Sequence, residues 1–269
     1  MRRLTLLTLT GALLAFAQQD GFKLVWSDEF NRDGRPDAAK WTYETGFVRN
    51  QELQWYQPEN AWCEKGFLII EGRRERRKNS NYDAASREWQ RNRPYAEYTS
   101  ACLITKGIAS WKYGRFEMRG RIDTRAGIWP AFWSLGAETE WPNGGEVDIM
   151  EYYKGTLLAN LIWAAPGGPW RTKSFTVKKP IGLFPSEWAS QFHTWRMDWD
   201  EKRIVLSVDG QVLNDADLDN AGNPDGTNGF RQPHYLLLNL AIGGQAGGDP
   251  SGTKFPSRFE VDWVRVYQK

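Results

Sequence analysis

The strongest constraint on this chain is a hydrophobic period of two. Phe67-Leu68-Ile69-Ile70 and residues 115–122, 203–208, 235–242 and 259–267 are short β-type runs, broken by Gly, Pro, Asn or Asp. No segment keeps a helical spacing with caps, so the pattern predicts an all-β sandwich. The last run alternates over nine residues and predicts a regular strand. Without an internal repeat or a linker, residues 18–269 read as one domain. Residues 73–97 stand apart, with eight basic and four acidic positions, and read as a solvated excursion between two strands.

Fifteen tryptophans, ten tyrosines and thirteen phenylalanines are more large rings than a core of this size needs, so some should line a binding surface. Residues 1–17 have a short basic start, an apolar run over residues 4–16 and a small-x-small site at Ala15-Phe16-Ala17. These features predict a cleaved secretory signal peptide and an extracellular or periplasmic product. The run is too short for a membrane anchor. Without Arg2 and Arg3, 33 basic residues face 33 acidic ones, and nothing in that balance points to nucleic acid or a membrane partner. Cys63 and Cys102 are the only cysteines, and they fit either one bridge or two buried thiols.

The most informative segment is Gly144-Gly145-Glu146-Val147-Asp148-Ile149-Met150-Glu151-Tyr152-Tyr153. In a strand Glu146 and Asp148 share a face, while Glu151, five positions from Glu146, points the other way. One extra residue in a β-bulge around Ile149-Met150 would return Glu151 to that face. Three crowded carboxyls cannot all ionise cheaply, so a carboxylic acid would lie beside a carboxylate, as glycoside hydrolysis requires. A straight strand puts positions four apart at about 13 Å. The approach of about 5 Å in retaining enzymes therefore needs curvature. Taken alone, the three positions also fit the polar outer face of an amphipathic strand. Upstream, Trp129 and Trp133 share a face of residues 127–136, and Glu140-Trp141-Pro142-Asn143 leads into the carboxylate strand.

These segments resemble glycoside hydrolase family 16, whose Glu-x-Asp-x-x-Glu motif is matched by Glu146, Asp148 and Glu151. Trp26-Ser27-Asp28-Glu29-Phe30, residues 50–56, 98–101, 113–117, 192–195 and 238–244, and the last strand look like family signatures in family order. The resemblance implies a β-jelly roll of two curved antiparallel sheets with a substrate cleft. It implies Glu146 as nucleophile, Glu151 as general acid/base and Asp148 as the residue tuning both. The extra residue in the motif is similar to laminarinases, which cleave β-1,3-glucans, rather than to lichenases. Substrate contacts are expected at Asn50, Trp129, Trp133, Trp141 and Gln245, and His193 is expected to be structural.

The family also implies a structural Ca²⁺ held by backbone oxygens at Glu29 and Gly66 and by Asp262 of the last strand, and no cofactor for the chemistry. The chain departs from many laminarinases, which have Arg at Cys102, His near Ile162 and Asn-Trp near Gln245-Ala246. Those differences bear on subsites rather than on the two glutamates. The expected activity is therefore that of a monomeric, secreted, retaining endo-β-1,3-glucanase acting on a β-glucan polysaccharide. A mixed-linkage β-1,3-1,4-glucanase, an agarase-like galactan hydrolase and a lectin on the same fold are the alternatives. Zinc, phosphate-loop and serine-hydrolase chemistries fail, because only His193 and His234 are present, Thr253-Lys254 is reversed and Gly-x-Ser-x-Gly is absent.

Overall fold

The period-two runs become strands whose inner faces are dry. In Gly114–Arg121, Phe116 and Met118 turn into the core while Arg115, Glu117 and Arg119 face outward. The computed structural model describes residues 21–269, and the leader expected at residues 1–17 lies outside them.

Seven antiparallel strands form one sheet, in the order Thr172–Pro180, Thr156–Ala164, Glu146–Tyr153, Ile128–Gly136, His234–Ile242, Cys102–Ile104 and Thr42–Glu44. A second antiparallel sheet runs Gln211–Asp217, Arg203–Val208, His193–Trp199, Gly114–Arg121, Ser257–Gln268, Phe67–Gly72 and Ala61–Glu64. Lys23–Asp28 also pairs with Ser257–Gln268. Between the sheets lies one large apolar cluster that includes Leu68, Phe116, Phe132, Met150, Leu238 and Val264, all fully buried. Each such side chain contributes about 1.5–3 kcal/mol relative to exposure. The two sheets form the expected jelly-roll sandwich.

The last strand is less regular than its sequence predicts. Phe259 and Val261 point inward, and so do Val264 and Val266. The parity therefore switches at Asp262-Trp263, where the pairing with Gly114–Arg121 slips by one residue. Burying Val264 and Val266 instead of Trp263 and Arg265 is what the bulge achieves. Cys63 lies in the second sheet and Cys102 in the first, and both are buried free thiols rather than a bridge.

Residues 73–97 are more structured than a solvated excursion. Arg77–Lys78 pairs with Tyr95–Ala96, and Ala96 packs with Phe47, Trp55 and Trp89. Arg93 donates to the Glu52 carbonyl at 3.0 Å, with its guanidinium over the Phe47 and Trp89 rings. The segment thereby buttresses the loop that carries Asn50.

Candidate active site

Glu146, Asp148 and Glu151 reach one face through the bulge their spacing requires. Asp148 pairs with Asn160 and Glu151 with Leu158, so Ile149 and Met150 together oppose a single residue, Ala159. The same slip appears against Ile128–Gly136, where Trp133 pairs with Asp148 and Phe132 with Met150. Ile149 and Met150 both enter the core. The tight entry to the strand depends on glycine: Gly145 has φ +77°, and a Cβ on Gly144 would lie 2.2 Å from the Thr139 carbonyl oxygen.

The three carboxyls lie in a cleft of about 620 Å³ that crosses the sheet. Asn239, Trp133, Asp148, Asn160 and Thr176 come from five successive strands of its floor. Trp129 Nε1 donates to Glu151 Oε1 at 2.8 Å. Asn160 Nδ2 bridges the row, donating to Asp148 Oδ2 at 2.9 Å and to Glu151 Oε2 at 3.0 Å. Asn160 Oδ1 is buried without a partner in the protein. Burial raises the Glu146 pKa well above the carboxylate range, reinforced by the charges of Asp148 and Glu151. Burial and the Asp148 charge raise Glu151 likewise. Burial also lifts Asp148, to about 6, against the Asn160 hydrogen bond. Crowded like charges in a low-dielectric cleft make the row a proton store.

Of the residues expected to touch substrate, Asn50, Trp129, Trp133 and Trp141 line the cleft. Gln245 does not: it is exposed, its backbone N–H donates to the Asn50 carbonyl at 2.9 Å, and Ala246 takes its place in the lining. Trp129 and Trp133 are 8% and 6% exposed. Trp133 Nε1 donates to Asn239 Oδ1 at 2.7 Å, and Asn239 Nδ2 to the Tyr56 hydroxyl at 3.0 Å. Asn50 is held at φ +53°, over Gly244, where a Cβ would meet the Asn50 carbonyl oxygen at 2.8 Å. His193 lies in the second sheet, bonded to Asp209 Oδ2 at 2.6 Å and to the Trp188 carbonyl at 2.7 Å, away from the cleft.

Sequence reasoning missed Arg49, Glu52, Tyr153, Asn160, Trp170 and Lys178, all of which line the cleft. Strand parity with Ile162 places Asn160 on that face, a signal available once the pairing register is known. Arg49 lies 5.0 Å from the Trp133 ring centre, salt-bridged to Glu44 and electrostatically coupled to Cys102. A cation therefore stands beside the position where Arg was expected. No sequence signal singles out Trp170.

At the expected calcium position, backbone oxygens of Glu29 and Gly66 would supply ligands beside the Asp262 carboxylate, and both acidic side chains there are ion-paired. Asp262 is engaged by Arg119, and Glu29 by both nitrogens of the Arg265 fork at 2.9 and 2.7 Å. Among the described residues no group of three or more His, Cys, Asp or Glu side chains is placed to hold a metal ion.

A family model for glycosyl hydrolases family 16 matches residues 73–265. A β-glucanase of Rhodothermus marinus is 36% identical over 92% of this chain and 85% of its own length. A structure from work on endo-acting O-glycanases of the human gut microbiota that initiate mucin breakdown superposes with a TM-score of 0.85. It has 35% identity and covers 93% of this chain and 92% of that one. The laminarinase catalytic domain of Thermotoga maritima superposes at 0.76, with 33% identity over 92% and 98% of the two chains. With its jelly-roll sandwich and its bulged row of carboxyls in a tryptophan-lined cleft, the chain belongs to glycosyl hydrolase family 16 and is a glycoside hydrolase.

Proposed function

We propose that the protein is a retaining endo-β-glucanase that cuts β-1,3 linkages in laminarin-like glucans. The observation that carries this reading is the row of Glu146, Asp148 and Glu151, turned into one cleft by the bulge and bridged by Asn160. Protonated Glu151 gives its proton to the glycosidic oxygen as Glu146 attacks the anomeric carbon. The C–O bond breaks and a glycosyl ester forms on Glu146. Glu151, now a carboxylate, takes a proton from water as that water attacks the same carbon, and Glu146 is released. Trp129 and Asn160 aim Glu151 throughout.

This chemistry needs no cofactor. A structural calcium on the backbone oxygens of Glu29 and Gly66 would share the Asp262 carboxylate with Arg119. Export through residues 1–17 is part of the proposal, and a secreted product whose mass begins at Gln18 is its check.

A second reading, an endo-acting O-glycanase of mucin, draws support from the structural neighbour at TM-score 0.85. Both readings are tested by incubating the mature protein with laminarin, lichenan, agarose and mucin glycans and sizing the products. Oligosaccharides from laminarin are expected. Products from mucin glycans alone would move the substrate and leave the catalysts in place. Glu151→Gln should lower kcat by about 10²–10⁴-fold, and Glu146→Gln should give no turnover. Full activity in either variant overturns the mechanism.

A further inference from the structure

Beside the cleft lies a second cavity of about 500 Å³ that has no role in the mechanism. The cleft crosses the strands, whereas this cavity opens at their ends, between residues 139–143 and 164–171. Its size falls within the range of small-ligand sites, about 300–1,000 Å³. The partition between the two spaces is a pair of indoles. Trp141 and Trp170 stack with ring centres 5.9 Å apart and planes 26° apart, and both line both cavities.

Trp170 is 67% exposed and is held at φ +66°, a conformation costly for a bulky side chain. The short loop that presents it is closed by the Ala165 N–H bonded to the Arg171 carbonyl at 2.8 Å. Core packing does not explain an exposed ring on a strained backbone. Indole faces bind the C–H face of a sugar, and the rest of the lining supplies partners for its hydroxyls. Asn143 is there, as is Arg171, which has no carboxylate partner among the described residues. The charged lining is one cation, Arg171, against two carboxylates, Glu140 and Asp225. That balance disfavours a sulfated or acidic sugar.

We propose that this flank cavity is a second saccharide site, which takes a neutral hexose carried as a side branch on the main chain lying in the cleft. The nature of that main chain rests on the glucanase reading. The site itself rests on Trp141, Trp170 and Arg171.

The test is calorimetric titration of the mature wild-type enzyme and Trp170→Ala with a linear β-1,3-gluco-oligosaccharide and with the same oligosaccharide carrying one β-1,6-linked glucose, read over the first injections before turnover. The branched ligand should bind wild type about tenfold tighter than the linear one, and Trp170→Ala should abolish that preference. Equal affinities in wild type, or a preference untouched by Trp170→Ala, overturn the proposal. If neither oligosaccharide binds, the glucanase reading fails, and the cavity is read instead by indole fluorescence with free glucose, galactose and N-acetylglucosamine. Quenching that is lost in Trp170→Ala supports the site, and no quenching by any of the three sinks it.

Discussion

Burial raises the proton affinities of Glu146 and Glu151, and Asp148 raises them further. Its charge pushes both Glu146 and Glu151 upward, while its own oxygen is held by Asn160. Asp148→Asn keeps the shape and an acceptor for Asn160 but removes the charge. Both glutamates should then lose protons at lower pH, and the whole bell-shaped profile of kcat/KM should move to the acid side. Activity falls on the alkaline side, where Glu151 gives up its proton earlier than in the wild type. An alkaline limb that stays in place in this variant contradicts the role given to Asp148. The residue types of the row were legible in the sequence because chemistry prescribes them at fixed spacing. Asn160 was not, since an amide in a strand announces nothing until the register places it under two carboxyls. Trp170 was hidden for a similar reason: one more ring in a chain with fifteen tryptophans gives no clue that its loop presents it to solvent.

Two of the bulged strands, Glu146–Tyr153 and Ser257–Gln268, differ in how plainly the sequence revealed them. Around Ile149-Met150 the bulge was legible because three acidic side chains had to share a face, and strict alternation could not deliver that. At Asp262-Trp263 the sign was slighter, the adjacent apolar pair Trp263-Val264, and the burial of Val264 and Val266 exposes the switch. The first bulge yields an expectation about deletion. Removing Ile149 leaves Glu-x-Asp-x-Glu, in which plain alternation keeps all three carboxyls on the cleft side. Removing Val147 makes Glu146 and Asp148 adjacent, on opposite faces. Deletion of Ile149 should therefore cost about 2–5 kcal/mol for the lost core side chain yet retain measurable turnover. Deletion of Val147 should leave none. Reducing-sugar assays and denaturant unfolding on both deletions check this, and activity in neither, with both folded, defeats it.

The assembled sandwich owes part of its pH response to His234, which is buried in a central strand. Its Nε2–H donates to the Gly229 carbonyl at 2.9 Å, and its Nδ1 accepts from the Ser134 hydroxyl at 3.1 Å. Burial lowers its pKa from 6.5 to about 4. Between those values the unfolded chain binds a proton that the folded one refuses, so stability falls as pH drops through that window and levels off below about 4. The contribution is about 3 kcal/mol at most. Buried carboxyls with raised pKa values act in the opposite sense, so the comparison must be made against His234→Gln. Denaturant unfolding at pH 7 and pH 4.5 should show a smaller acid loss in that variant, and equal losses in the two proteins would rule out His234 as the cause.

The arrangement of the second sheet bears on how the molecule comes into being. Ser257–Gln268 is the latest of its strands in chain order, yet it lies in the middle, with Gly114–Arg121 on one side and Phe67–Gly72 on the other. As the chain leaves the ribosome, that sheet exists only as two separate halves, each with an unpaired inner edge, until the keystone strand emerges. Closing the gap joins segments almost two hundred residues apart, a slow step by the measure of loop entropy. The strand that joins the two parts therefore sets when the sandwich can close, because every pairing across that sheet's middle waits for it.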